Sequence, residues 1–271
     1  ENAQYDYDYY VDNCSTRVRD ALDKALGGVL KSTLSERPGG MTYRQQTDRL
    51  MSAQPWLMLL LDFGLGPYAD QPLNGWQESF IPMVLQRELR SVHVPDGHGG
   101  QQPLVMDEHE IAPNHVQAPP PQAPDLRGPL ALAGAAIALL LAFARRRAPK
   151  LFATLGTLWL ALAGLAGLLM LGLWTLTTHH SAWANANLLL FNPLALAFIP
   201  AVWRAARQGP ARKWEDLLLI AQLLGGLAAL ALHLLPGLVQ QNQPWLLLAL
   251  PVWLALAWSL RGTRPASTRM A

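Results

Sequence analysis

One cysteine is all the thiol chemistry in this 271-residue chain, so no internal disulfide can form and Cys14 needs some other explanation. Acidic residues are nearly missing from the rear: residues 127–271 hold 2 Asp and Glu against 12 Lys and Arg, whereas residues 1–126 hold 17 against 9. That split excludes a uniform soluble domain. Residues 151–203 and 217–260 contain no Asp, Glu, Lys or Arg and are filled with Leu, Ala and Trp. Soluble cores lack such stretches, and a bilayer core needs roughly 20 apolar residues per helical crossing. The rear is therefore read as a multi-pass membrane domain. The cations lie between apolar runs, not on one basic face, which argues against nucleic acid as a partner. The histidines show no metal-ligand spacing, and neither a metal nor a cofactor is expected.

Breaks in the apolar text divide the rear into five predicted spans, at about residues 128–144, 151–177, 188–203, 217–235 and 245–260. The third and fifth are short and need flanking residues to complete a crossing. Orientation follows from the cations, because cytoplasmic loops retain Lys and Arg during insertion. Arg145, Arg146, Arg147 and Lys150 follow the first span. Arg204, Arg207, Arg212 and Lys213 follow the third, and Arg261, Arg264 and Arg269 follow the fifth. The other two connections carry no Lys or Arg. The tail is thus expected in the cytoplasm of a bacterium and the acidic front half in the periplasm, with the spans in the inner membrane. The predicted organisation is a periplasmic domain at 1–116, a Pro-rich, polyproline-like spacer at 117–129, a membrane domain at 130–261 and a tail at 262–271. An exported domain needs an export signal, and the chain opens Glu1-Asn2-Ala3-Gln4 without one or a start Met, so upstream sequence is expected.

In the front half, Tyr5-Asp6-Tyr7-Asp8-Tyr9-Tyr10-Val11 alternates aromatic and acidic residues like a strand with one packed face. A helix follows, with Asp12 or Asn13 as N-cap and Val18, Ala21, Leu22, Ala25, Leu26 and Val29 as one apolar stripe. Cys14 then falls at the helix start, where unpaired amides and the positive dipole end favour an anion, and Arg17 adds a cation one turn on. A lone cysteine is also commonly an inert buried residue, and that reading stands beside the nucleophilic one. Further on, prolines 55, 72 and 82 interrupt short helices over 41–61 and 71–89, with Gly64 and Gly66 marking a turn. Trp56, Trp76 and Phe80 read as core or membrane-surface anchors, and His93, His98, His109 and His115 as loop residues. Between the second and third spans, His179, His180, Asn185 and Asn187 form an uncharged polar cluster, read either as capping groups or as contacts to a lipid headgroup or carbonyl.

Residues 7–23, YDYYVDNCSTRVRDALD in one-letter code at positions 7 and 8 onward from Tyr7-Asp8, resemble the cysteine motif of the Lnb-type lipoprotein N-acyltransferase family. The resemblance continues through Thr42-Tyr43-Arg44, through Leu65-Gly66-Pro67-Tyr68-Ala69-Asp70-Gln71-Pro72-Leu73, and through Trp76-Gln77-Glu78-Ser79-Phe80. It implies a helical integral membrane protein of about five transmembrane helices, preceded by the C-terminal part of an α+β, papain-like periplasmic domain in circularly permuted order. In that order a histidine on a strand precedes the cysteine. The chain has no matching His-x-Phe-Gly-His motif, so the resemblance places the histidine before residue 1 and implies that these 271 residues alone lack turnover.

The implied partners are a membrane phospholipid and the N-terminus of a bacterial lipoprotein. Cys14 would be the nucleophile, with Asp12, Asn13 and Arg17 as oxyanion or orienting groups and the backbone amides at the helix start as oxyanion donors. Two rivals share the residues: a membrane-tethered NlpC-like cysteine peptidase or amidase of the cell envelope, and a non-catalytic envelope scaffold. A charged ion relay is disfavoured because no Asp, Glu, Lys or Arg lies inside a predicted span.

Overall fold

The computed structural model describes residues 7–112, 117–235 and 240–261. Tyr5 and Asp6 of the aromatic-acidic run, His115, and Arg264 and Arg269 in the expected tail lie outside the described residues. The chain forms two compact units, residues 1–58 with 70–123 and residues 59–69 with 124–271. Residues 59–69 therefore go with the membrane helices, whereas the sequence reading placed them in a continuous front domain.

In the first unit, α1 (Cys14–Ala25) and α2 (Val29–Ser35) lead into strand β1 (Pro38–Thr42), then α3 (Tyr43–Met51) and α4 (Pro55–Gly64), within which the chain passes to the second unit. Strand β2 (Pro72–Asn74), the single turn α5 (Gly75–Glu78), α6 (Pro82–Arg90) and the hairpin β3 (His93–Pro95) and β4 (Gln101–Pro103) complete it. Both strand pairs are antiparallel: β1 with β2, and β3 with β4. Helix starts are fixed by reciprocal capping boxes, Asn13 with Thr16, Thr42 with Gln45 and Asn74 with Gln77.

Two expectations fail here. Residues 8–12 form a turn closed by an Asp8–Asp12 bridge, not a strand. The Asp8 carboxylate accepts from the Tyr10 and Val11 amides at 2.8 and 3.1 Å, and this local alternative to a ladder bends the chain. The apolar stripe of the cysteine helix is also broken. Gly27 and Gly28, at φ +64° and +90°, end α1, so Val29 starts another helix. Val18 stays exposed, while α1 buries Ser15, Thr16 and Arg19. A polar face is buried because it has polar partners: Ser15 Oγ donates to Ser79 O at 2.8 Å, and Arg19 donates to Trp76 O at 2.7 Å while lying 3.8 Å over the Trp76 ring.

The second unit contains five segments long and apolar enough to cross a membrane: Arg127–Arg147, Pro149–Leu176, His180–Ala206, Lys213–Leu232 and Gln243–Arg261. Four are continuous helices, α7 (Arg127–Arg147), α8 (Pro149–Leu176), α10 (Lys213–Leu232) and α11 (Gln243–Arg261). Their outer faces carry Leu132, Leu139, Leu162, Leu165, Leu227 and Leu254, all exposed as lipid-facing side chains are. Phe152, Leu160, Phe198, Leu219 and Trp253 fill the core.

The third segment is not the plain helix expected over 188–203. It is three 3₁₀ turns, His180–Ala182, Ala186–Leu189 and Pro193–Phe198, running into α9 (Ile199–Ala206). Asn185 and Asn192 cap two of the turns, and Pro193 and Pro200 start the next pieces. Irregular backbone survives at membrane depth only where other groups satisfy it. Here Gln222 Nε2 donates to Leu190 O at 3.2 Å and Trp253 Nε1 to the same oxygen at 2.9 Å, while Asn192 Nδ2 donates to Gln222 Oε1 at 2.6 Å.

Residues 59–69 dock into this unit through Gly66. Its amide donates to Ser181 O at 2.7 Å, and a Cβ there would stand 2.1 Å from Trp183 O. Gly66→Ala is expected to cost about 1–3 kcal/mol through forced backbone displacement. Thermal unfolding in detergent checks this, and an unchanged midpoint would show that the contact yields freely.

Candidate active site

Asn13 holds the cysteine in place. Its side-chain oxygen accepts from the Thr16 amide at 2.9 Å, and its Nδ2 donates to Tyr9 O at 2.9 Å and Phe80 O at 3.0 Å. The cap therefore ties the start of α1 both to the preceding turn and to the segment before α6. Cys14 is the first residue of the helix, and it is exposed. The cysteine is therefore not a buried core residue. Thr16 N is taken by the cap, whereas the Cys14 and Ser15 amides make no hydrogen bond among the described residues, as first-turn amides commonly do not. They remain available to an acceptor at the helix start.

Asn13 is not such a donor. Both protons of its amide are spent on Tyr9 O and Phe80 O, so of the two roles expected for it only orientation remains. Asp12 and Arg17 come together as a two-pronged ion pair, Arg17 Nη2 donating to Asp12 Oδ2 at 2.6 Å, at the exposed edge of the same turn. Arg17 thus offers its charge to the neighbourhood already paired, and Asp12 is not the N-cap.

Beneath the turn, Tyr10, Tyr43 and Phe80 pack ring against ring, with centroids 4.5 Å apart for the tyrosines and 5.4 Å from each to Phe80. Burial pushes the Tyr10 phenol far above its ordinary range, so it stays neutral. Thr47 donates to Tyr43 O at 2.8 Å, which leaves its oxygen to accept from Tyr10 at 2.8 Å. The half-buried Tyr9 phenol is also raised by desolvation.

Two polar pairs that the sequence reading missed brace this layer. Arg44 clasps Asp70 with bonds of 2.7 and 3.0 Å, both side chains 2% exposed, and Gln46 donates to Glu78 at 2.8 Å. Their residues lie in or beside the Thr42-Tyr43-Arg44, Ala69-Asp70 and Trp76-Gln77-Glu78 strings, which therefore build the platform under Cys14. His93, His98 and His109 lie on the exposed hairpin and the loops around it. Among the described residues no cluster of His, Cys, Asp and Glu is arranged to hold a metal ion.

In the second unit, Asn185 and Asn187 are turned inward, 2% and 0% exposed. Both donate to Phe63 O, at 2.9 and 3.0 Å. Gln240 Nε2 bridges Asn185 Oδ1 and Leu65 O at 2.9 and 3.0 Å, and Asn242 Nδ2 donates to Asn187 Oδ1 at 2.9 Å. The two asparagines expected at a lipid headgroup are therefore buried in this structure, where they fasten residues 59–69 to the bundle. His179 and His180 remain exposed, and His180 lies against Trp183 with ring centroids 4.2 Å apart. His233, at the end of α10, has Asn242 Oδ1 2.9 Å from its Nε2. Asp62, unremarked in the sequence, is 2% exposed and accepts from Trp245 Nε1 at 2.6 Å. The signal that marked it was a lone acid inside the apolar run Trp56-Leu57-Met58-Leu59-Leu60-Leu61-Asp62-Phe63.

No curated protein and no solved structure matches the chain. A family model described as the Lnb transmembrane domain does, over residues 128–263, half of the full length. The matched stretch coincides with the five crossing segments, broken third one included, and by that match the chain belongs to the Lnb family.

Proposed function

We propose that this membrane protein is an acyltransferase that moves a phospholipid acyl chain, through a thioester on Cys14, to the N-terminal amine of a bacterial lipoprotein. The observation that supports this most is the exposed Cys14 at the capped start of α1, in a chain whose membrane domain is of the Lnb family. In the first step the Cys14 thiolate attacks the ester carbonyl carbon of the lipid. A C–S bond forms, the C–O bond to glycerol breaks, and the lysophospholipid alkoxide leaves with a proton. In the second, the lipoprotein amine attacks the thioester carbon, a C–N bond forms, the C–S bond breaks, and the amine gives up a proton as the thiol is restored. The Cys14 and Ser15 amides face the developing oxyanion in both. Both substrates are lipid-anchored, which explains the five-helix domain: confinement to one membrane raises their effective concentration and limits their orientations.

The arrangement of cations supports an inner-membrane location with the Cys14 unit in the periplasm and the C-terminus in the cytoplasm. The test takes the native gene product in detergent, with phospholipid labelled in its acyl chains, and looks by mass spectrometry for a hydroxylamine-sensitive acyl group on Cys14. Label on the wild type and none on Cys14→Ser is the expected result. Release of peptidoglycan fragments without lipid label would replace this reading with a cysteine peptidase or amidase, and neither outcome would leave a scaffold.

A further inference from the structure

At the arginine-rich end of the second unit, two cavities meet at Pro149, which lines both. The larger, about 520 Å³, is largely apolar, and Leu151, Trp203, Lys150 and Arg207 are among the residues that line it. The smaller, about 360 Å³, has a mixed polar and apolar lining that includes Arg145, Arg146, Gln208, Trp258 and Ser259. Their sizes fall in the range of small-molecule sites.

Three features of the smaller lobe suit it to an anion. Arg145 and Arg146 are held in place without an acidic partner: Arg145 Nε donates to Ser259 O at 3.2 Å, and Arg146 lies 5.0 Å over the Trp258 ring. Among the described residues Arg145, Arg146, Lys150 and Arg207 enter no ion pair, whereas nearby Arg204 is already neutralised by Glu215. The Ser259 side chain, in a residue 1% exposed, has a hydroxyl without any hydrogen-bond partner. A buried unsatisfied hydroxyl costs about 1–3 kcal/mol, a cost that a ligand acceptor removes.

We propose that this bilobed site holds one anionic phospholipid as a resident ligand, with its phosphate among Arg145, Arg146 and Ser259 and an acyl chain in the apolar lobe. Both parts of the occupant are required. A free phosphate would leave the apolar lobe empty, and a neutral lipid would leave the guanidinium charges unmet. Basic pockets between membrane helices bind such headgroups by the same complementarity. This site depends only on the helix bundle and is separate from acyl transfer at Cys14.

The native protein, purified in neutral detergent, is titrated with phosphatidylglycerol, phosphatidylcholine or inorganic phosphate, and retained lipid is counted by native mass spectrometry. One phosphatidylglycerol per chain is expected, in preference to phosphatidylcholine, with no displacement by millimolar phosphate. Arg146→Gln and Arg207→Gln should each weaken retention about fivefold, from the contribution of one cation to headgroup binding. Ser259→Ala should weaken it while leaving the lipid-free unfolding midpoint unchanged or raised. Arg127→Gln, at the opposite end of α7 and already paired with Asp125, should leave retention unchanged. Equal retention of phosphatidylcholine, stabilisation by inorganic phosphate alone, or wild-type retention in both the Arg146 and Arg207 variants would overturn the proposal.

Discussion

Replacing Cys14 by alanine is expected to lower lipoprotein acylation on the order of 10⁴-fold or more, the loss typical of removing a covalent nucleophile. The unfolding midpoint should stay where it is, because the Cys14 side chain is exposed. Asn13→Ala separates chemistry from positioning. It removes the cap on Thr16 N and leaves Tyr9 O and Phe80 O without their donor, so a loss of about 2–4 kcal/mol is expected from one cap and two hydrogen bonds. Its activity should fall with the fraction folded, and low temperature should restore part of it. Acylation by Cys14→Ala near the wild-type rate, measured with a labelled phospholipid donor and a diacylated lipopeptide acceptor, would remove Cys14 from the mechanism. A thermal midpoint unchanged in Asn13→Ala would show that the cap does not hold the turn.

The second large effect concerns stability alone. Arg44→Met leaves the Asp70 carboxylate buried without its cation and should destabilise the first unit by about 3–5 kcal/mol. The double variant Arg44→Met with Asp70→Leu should recover most of that loss, since two apolar side chains of similar volume replace a desolvated pair at little net cost. Denaturant unfolding followed by tryptophan fluorescence reads both, with Trp76 reporting from the first unit. If the single variant loses less than about 1 kcal/mol, the range of an exposed pair, the site is wetter than its 2% exposure indicates. The pair is linked to the cysteine turn through Tyr43, next to Arg44, which carries one of the rings packed against Tyr10 and Phe80.

Local signals in the sequence were read well where the physics is local. Asp12-Asn13 ahead of an apolar stripe marks a helix start whatever the tertiary context, and the structure chooses Asn13 as the cap, with Cys14 as the first helical residue. The apolar runs likewise imply five crossings, because a crossing is set by length and hydropathy. The apolar stripe on the cysteine helix misled because helical periodicity says which residues share a face but not which face is buried. Ser79 O and the Trp76 ring, about 60 positions away, supplied polar partners and turned Ser15 and Arg19 inward. The third span misled for a related reason. Its composition is that of a helix, yet Asn192 and Pro193 break it, and the break is tolerable only because Gln222 and Trp253 reach its carbonyls.

By itself the sequence determined the membrane character of the rear, its five crossings, the charge asymmetry between its ends and the capped placement of a single cysteine. These depend on transfer free energies and on contacts within one helical turn. Only the tertiary structure decided that residues 59–69 belong to the membrane bundle, that Asn185 and Asn187 fasten them there, and that Asp62 meets Trp245. The hydrogen bonds concerned join residues up to 183 positions apart, as between Asp62 and Trp245. A polar side chain in an apolar run announces that it needs a partner, but which partner it finds is fixed by how the helices pack.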